Sequence, residues 1–235
     1  MDVGIIANPA SGKDIRRLTA GASVVSNQEK KAIIKRCLQG LCSSASPKIH
    51  YFPDTHRIVS SAVGELGIPA EPLDIDPEGV AEDSTQAARM LKGCKLVISL
   101  GGDGTNRAIA KGWNDVPLIA LSTGTNNALP AMLEATTAGL AAGCLVRGYV
   151  PITEVSVRSK MIRIELAGEQ KGSDLALIDA VGTTDRFVGS KAITDTSKYL
   201  FAFLTEANPN KPGTAGIGGC IQLLDRCEER GLFIR

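Results

Sequence analysis

Short apolar runs alternate with amphipathic segments from the N-terminus to about residue 146, and this alternation constrains the fold more than any other feature. Residues 3–7 predict a buried strand, and the spacing of apolar residues over 27–41 predicts an amphipathic helix. We predict further strands at 48–52, 70–73, 95–100 and 116–121, and helices near 57–66, 81–91, 106–112 and 130–146. The pattern is typical of an α/β fold in which helices cover both faces of a parallel sheet and ligands bind at the carboxyl ends of the strands.

Beyond Gly148 the pattern changes to strand-like alternation. Residues 152–157 and 161–166 predict a two-stranded hairpin, the apolar run at 175–181 can add a third strand, and 199–207 predict a helix. We therefore expect two domains, an α/β domain over 1–148 and a smaller β-rich domain over 149–235. The interface between two such domains is a common place for a ligand.

The charges of the chain nearly cancel, since 26 Lys and Arg face 25 Asp and Glu and the net charge is +1. With so small a net charge, the chain has no overall electrostatic field that would attract nucleic acid or an anionic membrane surface, so we predict neither as a partner. Any recognition of phosphate must therefore be local.

Targeting and metal-binding patterns are not found in the sequence. The first nine residues carry an acidic side chain and no basic region, and no stretch of about 18 apolar residues runs without charge. The six cysteines form no Cys-x-x-Cys pair and there are two histidines, so we predict no zinc site and assign no metal ligands from this pattern. We expect a cytoplasmic protein with reduced thiols.

A glycine loop, Gly101-Gly102-Asp103-Gly104-Thr105, follows the apolar run at 95–100 and precedes a predicted helix. Its glycines let backbone N–H groups approach an anion, which is the geometry of a phosphate site. Asp103 would repel phosphate unless a cation or a proton transfer is involved, so we interpret it as catalytic, either deprotonating a hydroxyl or helping to hold Mg²⁺. The alternative is a tight turn in which Asp103 caps the following helix.

Two further polar loops, at 8–13 and 122–127, also follow predicted strands, and parallel strands place all these loops on one edge of the sheet. Each loop alone is also an ordinary turn. Neither the Walker pattern nor Gly-x-Gly-x-x-Gly after the first strand is present, which disfavours P-loop and dinucleotide Rossmann sites. The candidate phosphate- and nucleotide-binding residues are Asn8, Ser11, Lys13, Gly101, Gly102, Gly104, Thr105, Thr123, Thr125, Asn126 and Asn127.

Charged residues outside these loops are weaker candidates. Asp179 and Asp185, the latter followed by Arg186, could reach the crevice from the second domain, although such pairs are more often solvated on the surface. We expect Lys30 and Lys31 to lie on the solvated face of the first helix.

Gly-Gly-Asp-Gly-Thr after a buried strand, with Asn-Pro-Ala-Ser-Gly-Lys upstream, resembles the superfamily of NAD kinases and diacylglycerol or sphingoid-base kinases. Together with Ala-Ala-Arg-Met at 87–90 and Asp-Arg-Phe-Val-Gly at 185–189, it is most similar to the ATP-NAD kinase branch that includes acetoin catabolism protein X, over most of the chain. The resemblance implies a two-domain kinase fold with the glycine loop between the domains. It also implies that Asp103 activates the ribose 2′-hydroxyl of NAD, that the loop glycines and Thr105 hold phosphate, and that Asn126 lies in the next ligand loop.

The expected function is thus transfer of phosphate from ATP, or from another phosphate donor, to the 2′-hydroxyl of NAD, with Mg²⁺ neutralising charge. One alternative is a nucleotide-binding regulator without turnover, because Asn126-Asn127 lacks the acid of the NAD kinases' Asn-Glu pair and the second domain is expected to be reduced or truncated. The other is a lipid or sphingoid-base kinase, because the loop at 122–126 resembles the loop that follows the glycine motif in those kinases. The balanced charge of the chain disfavours a membrane substrate. We also predict a homo-oligomer.

Overall fold

The computed structural model describes residues 2–13, 24–124, 127–167, 171–185 and 196–235. These residues form one five-stranded, one three-stranded and one two-stranded sheet. No helix among them is both long enough and apolar enough to cross a membrane.

The largest sheet is formed by β1 (Asp2–Ala7), β2 (Lys48–Tyr51), β3 (Ala70–Pro72), β4 (Leu96–Gly101) and β5 (Leu118–Ser122). Its strands lie in the order β3-β2-β1-β4-β5, and every neighbouring pair is parallel. The whole of β4 is buried, as is β1 after its first residue. Their continuous apolar runs suit this central position, because helices cover a parallel sheet on both faces.

Five helices pack on this sheet: α1 (Asn27–Ser44), α2 (Ile58–Leu66), α3 (Ala81–Met90), α4 (Asp103–Gly112) and α5 (Ala135–Arg147). Side chains of α1, α2 and α5 share one core with alternate residues of β1 and β4, whereas α3 and α4 share the core on the opposite face. The predicted α/β class, with helices on both faces of a parallel sheet, is confirmed.

Two of these helices begin away from their predicted residues. α4 begins at Asp103 rather than near 106, so the glycine loop runs directly into its first turn. α5 begins at Ala135 rather than near 130. Its N-cap is Glu134, whose carboxylate accepts the N–H of Thr137 at 2.8 Å, while the preceding Ala131 forms an isolated bridge to Leu121 beside the sheet.

The C-terminal part is smaller and largely antiparallel. Its elements are α6 (Ile152–Val155), β6 (Ile162–Leu166), β7 (Gly172–Ala176), β8 (Asp179–Thr183), a 3₁₀ turn (Thr196–Lys198), β9 (Tyr199–Leu204), α7 (Thr214–Ile221) and β10 (Leu232–Ile234). One sheet has the order β10-β9-β8, and the other is the β6–β7 hairpin. Ala202, Leu204, Ala207 and Leu224 form a small core beside the three-stranded sheet.

Three predicted elements of this part are wrong. Residues 152–157 are not a strand: Pro151 precedes the short helix α6, and the hairpin partner of β6 is β7. Residues 175–181 are not one strand, since they end β7 and begin β8 of the other sheet. Residues 199–207 are not a helix, because β9 buries Ala202 and Leu204 with strand periodicity while its aromatic residues face outward.

Candidate active site

Three loops meet at the carboxyl edge of the large sheet, because β1, β4 and β5 are neighbours there. We call them the N-terminal loop (residues 8–13), the glycine loop (residues 101–105) and the β5–α5 segment (residues 123–134, described except for 125 and 126). Asn8 Nδ2 donates to Thr105 Oγ1 at 2.9 Å, which joins the first two loops. A Cβ on Gly12 would lie 2.9 Å from the carbonyl oxygen of Thr123, so the first and third loops are also in contact.

Two of the three glycines of the glycine loop, Gly101 and Gly102, are closely packed, whereas a Cβ on Gly104 would meet nothing within 4 Å. A Cβ on Gly101 would lie 2.5 Å from Thr105 Oγ1, and one on Gly102 would lie 2.7 Å from Asn127 Oδ1. Gly102 is the N-cap of α4 and has no side chain to cap the first turn. The helix therefore begins with backbone N–H groups at the centre of the three loops, which suits an anion.

Asp103 is held by the third loop and does not cap its own helix. Its Oδ2 accepts the N–H of Ala128 and its Oδ1 accepts the N–H of Leu129, both at 2.8 Å. Its own N–H donates to Asn127 Oδ1 at 3.3 Å. Each carboxylate oxygen keeps further acceptor capacity, so Asp103 can still accept a hydroxyl proton or bind a cation from a fixed position.

Asp179, the first residue of β8, lines the same cavity as Asp103. Burial, and after it the negative charge of Asp103, raise the pKa of the Asp179 carboxyl. The described residues contain no group of three or more metal-ligating side chains. Two carboxylates fit Mg²⁺, which commonly takes one or two from the protein and the rest of its ligands from phosphates and water. The cavity has a volume of about 320 Å³ and is lined by Asp103, Gly104, Arg107, Ile164, Leu175, Ala176, Leu177, Ile178 and Asp179.

We expect Asp179→Asn to raise the free energy of unfolding at neutral pH. Folding raises the pKa of this carboxyl, so the ionised side chain destabilises the folded state relative to the unfolded state. This loss in the free energy of unfolding develops as pH rises from the unfolded pKa of about 3.9 through the folded pKa. Asn removes that cost, so the gain should be present at about pH 7 and absent at about pH 3. Denaturant unfolding over this range tests the prediction, with the exposed Asp115→Asn as control. A gain that does not grow with pH would contradict it.

Side-chain hydrogen bonds join the first part of the β5–α5 segment to the end of β5. Asn127 Nδ2 donates to Ser122 Oγ at 2.9 Å, and Ser122 Oγ donates to the carbonyl of Gly124 at 2.6 Å. Thr123 is 2% exposed, and its Oγ1 is the buried side-chain polar atom that lacks a hydrogen-bond partner within the described ranges. Such a group costs about 1–3 kcal/mol unless a ligand satisfies it, and so it is consistent with a polar ligand at this edge.

The N-terminal loop is stabilised by Lys30, a residue that we expected to be solvated. Lys30 is fully buried in α1, and its Nζ donates to the carbonyls of Asn8 at 3.0 Å and Pro9 at 2.7 Å. The sequence-based expectation was wrong because the helix turns this position toward the loop carbonyls, where a charged donor can satisfy them. Ser11 Oγ also donates to the Asn8 carbonyl, at 2.8 Å, and Lys13 is exposed at the end of the described loop.

Of the candidate residues that the structure describes, Asp103, Gly104 and Asp179 line the cavity and the others do not. The carboxylate of Asp185 instead binds Lys198 Nζ at 3.1 Å. Thr125, Asn126 and Arg186 lie outside the described residues.

Several residues near the cavity were missed by the sequence analysis. Asn106 is 1% exposed; its Oδ1 accepts from Ser99 Oγ at 2.7 Å and its Nδ2 donates to the Gly102 carbonyl at 3.0 Å. A polar residue on the buried side of α4 is a signal that could have identified it. Arg107 binds β7 through the carbonyl of Leu175, at 2.6 Å, and through the carboxylate of Asp174. No local pattern marks such a contact between distant segments.

Comparison with known proteins divides the chain in two. Residues 3–149 match the ATP-NAD kinase N-terminal domain, and residues 160–235 match the acetoin catabolism protein X C-terminal domain. Acetoin catabolism protein X of Cupriavidus necator is 35% identical over 245 aligned positions, which span 99% of this chain and 68% of that protein.

Two solved structures are similar at a lower level. A diacylglycerol kinase of Bacillus anthracis matches with a TM-score of 0.35 and 15% identity, over 99% of this chain and 82% of that one. A UDP-GlcNAc 2-epimerase of Neisseria meningitidis, bound to UDP-GlcNAc, matches with a TM-score of 0.31 and 15% identity, over 52% of this chain and 33% of that one. Neither similarity supports an argument about the site.

Proposed function

We propose that this protein is a phosphotransferase, because the chain belongs to the ATP-NAD kinase family and, within it, to the branch of acetoin catabolism protein X. The proposed reaction transfers the γ-phosphoryl group of ATP to the ribose 2′-hydroxyl of NAD and yields NADP. The link to acetoin catabolism, taken from the name of the relative, is part of the same proposal.

The observation that carries the proposal is the position of Asp103. It lies at the start of α4 with both carboxylate oxygens on backbone amides, at 2.8 Å, and it lines a cavity between α4 and the C-terminal part. Phosphoryl transfer is catalysed mainly by positioning and by electrostatic stabilisation. A carboxylate fixed beside a phosphate-binding helix terminus supports this chemistry better than it supports binding of an anion alone.

The proposed roles follow from the geometry. The amides at the start of α4 and the N-terminal loop bind the phosphates, and Asp103 accepts the proton of the attacking hydroxyl. Asp103 and Asp179 are the carboxylates that would hold Mg²⁺, which supplies neutralisation of phosphate charge. The apolar wall formed by Leu175, Leu177 and Ile178 holds the uncharged part of the acceptor and keeps water from the reacting atoms.

One observation favours a second candidate, a nucleotide-binding regulator. The two bonds from Asp103 to Ala128 and Leu129 are also what a purely structural aspartate would make. In that case the loops bind a nucleotide, but no phosphate is transferred.

The test is an assay for NADP formation from NAD, ATP and Mg²⁺, run beside calorimetric titrations of ATP and NAD. Formation of NADP at a rate proportional to protein concentration supports the kinase. ATP binding without NADP removes NAD as the acceptor, and a panel of other alcohols, including a sphingoid base in micelles, then separates another kinase from the regulator. Failure to bind either nucleotide contradicts both candidates.

A further inference from the structure

One peptide group, between Ala128 and Leu129, connects Asp103 to the C-terminal part of the chain. Its N–H, that of Leu129, binds Asp103 Oδ1 at 2.8 Å, and the N–H of Ala128 in the preceding peptide group binds Asp103 Oδ2 at 2.8 Å. The carbonyl of the connecting peptide group, that of Ala128, accepts from Arg226 Nη2 at 2.9 Å and from Lys211 Nζ at 2.5 Å. Arg226 Nη1 also approaches the Leu129 carbonyl at 3.5 Å. Two cations from the C-terminal part thus bind the carbonyl of a peptide group whose N–H binds Asp103.

The Arg226 guanidinium is itself oriented by a buried carboxylate. Glu206 is 5% exposed; its Oε2 accepts from Arg226 Nε at 3.0 Å and its Oε1 accepts from Arg226 Nη2 at 3.1 Å. The planar fork of Arg226 therefore binds Glu206 and the Ala128 carbonyl at the same time, and Lys211 Nζ, 3.9 Å from Glu206 Oε1, adds a second positive charge beside them.

The loop that carries Arg226 is fixed by a further lysine. Lys160 Nζ donates to the carbonyls of Asp225 at 2.9 Å and Glu228 at 2.6 Å, and also to that of Arg230. Lys160 lies just before β6, so the Arg226 loop is tied to another segment of the C-terminal part. The position of the guanidinium is thus set by contacts on several sides.

We propose that Arg226, assisted by Lys211, is a positioning residue for Asp103 and acts through the peptide group between Ala128 and Leu129. A charged donor on the Ala128 carbonyl polarises this peptide group and strengthens the hydrogen bond that its N–H, that of Leu129, makes to Asp103. Without the cations, this hydrogen bond weakens and the Asp103 carboxylate loses its fixed position. The C-terminal part then supplies the geometry of the catalytic group as well as one wall of the cavity. The catalytic consequence rests on the proposed function, whereas the structural coupling does not.

The test uses Arg226→Lys as the main variant, because it keeps a cation near Glu206 and removes the planar fork that binds Glu206 and the Ala128 carbonyl together. Arg226→Met would leave Glu206 buried without its partner and can fail to fold, so Lys211→Met is the second variant. Arg230→Met is the matched control: its side chain is 64% exposed and pairs with Glu228 in the same loop.

The first measurement needs no activity. Amide hydrogen exchange of Leu129 in the whole protein should become about tenfold faster in Arg226→Lys and Lys211→Met, and should not change in Arg230→Met. Unchanged exchange at Leu129 in both variants overturns the proposal, whether or not the protein makes NADP.

The second measurement is kinetic. If the protein makes NADP, Arg226→Lys should lower kcat about tenfold to a hundredfold with little change in the KM for ATP. In an Asp103→Asn background the same substitution should change kcat by about twofold or less, because its effect passes through Asp103. An equal loss of kcat with and without Asp103, or a loss that appears in KM alone, overturns the positioning role.

Discussion

Asp103→Asn is expected to lower kcat for NADP formation by about a hundredfold to ten-thousandfold, the usual contribution of a general base. Asn keeps the size of the side chain and one oxygen that can accept a hydrogen bond from a backbone amide, but it cannot act as the base that takes up a proton. Its NH₂ group also faces one of the two amides that now bind the carboxylate at 2.8 Å. We therefore expect a loss of about 1–3 kcal/mol in the free energy of unfolding as well.

The measurements are kcat, the KM for ATP and denaturant unfolding of the same preparations. Asp115→Asn is the control, since its side chain is 66% exposed and pairs with Arg158 away from the cavity, and it should match the unaltered protein. If Asp103→Asn loses stability as expected but keeps its turnover, Asp103 is a structural residue and the assignment of the base is wrong.

Gly139→Ala is expected to lower the free energy of unfolding by about 3 kcal/mol or more, a large share of the stability of a domain. Gly139 of α5 faces α1 so closely that a Cβ would overlap the carbonyl oxygen of Cys37, and Gly40 of α1 meets the carbonyl of Thr136 in the same way. The added methyl must push the two helices apart along a contact that belongs to the main core. This outweighs the gain of about 1 kcal/mol that Ala brings to a helix.

Gly64→Ala in α2 is the matched control, because a Cβ at Gly64 would meet nothing within 4 Å. That substitution should stabilise the protein by about 0.5–1 kcal/mol through helix propensity alone. Denaturant or thermal unfolding of the two variants tests the pair. A Gly139 variant as stable as the Gly64 variant would mean that α1 and α5 do not pack as closely as described.

The sequence predicted the large sheet well, because each of its parts carries a local signal. The apolar run that became β4 and the amphipathic spacing of α1 can be recognised without knowledge of their neighbours. Parallel topology then places the loops after β1, β4 and β5 on one edge, which is why the N-terminal and glycine loops could be predicted to meet.

The C-terminal part was predicted poorly, because its elements depend on partners that are distant in sequence. The alternation at 152–157 lacked a sheet to join, and the segment became a short helix after Pro151. The segment at 199–204 is apolar enough to form either a helix or a strand. It forms a strand because it pairs with β8 and β10.

The sequence by itself determined the fold class, the glycine loop and Asp103 as the residue to test, since periodicity and glycine spacing are local properties of the chain. Tertiary structure alone decided what holds Asp103, and it decided that Lys30, Glu206 and Arg226 brace the site. A buried charge is stable only where acceptors or an opposite charge come from elsewhere in the fold. Those partners are set by packing between segments distant in the chain, which no local pattern of residues encodes.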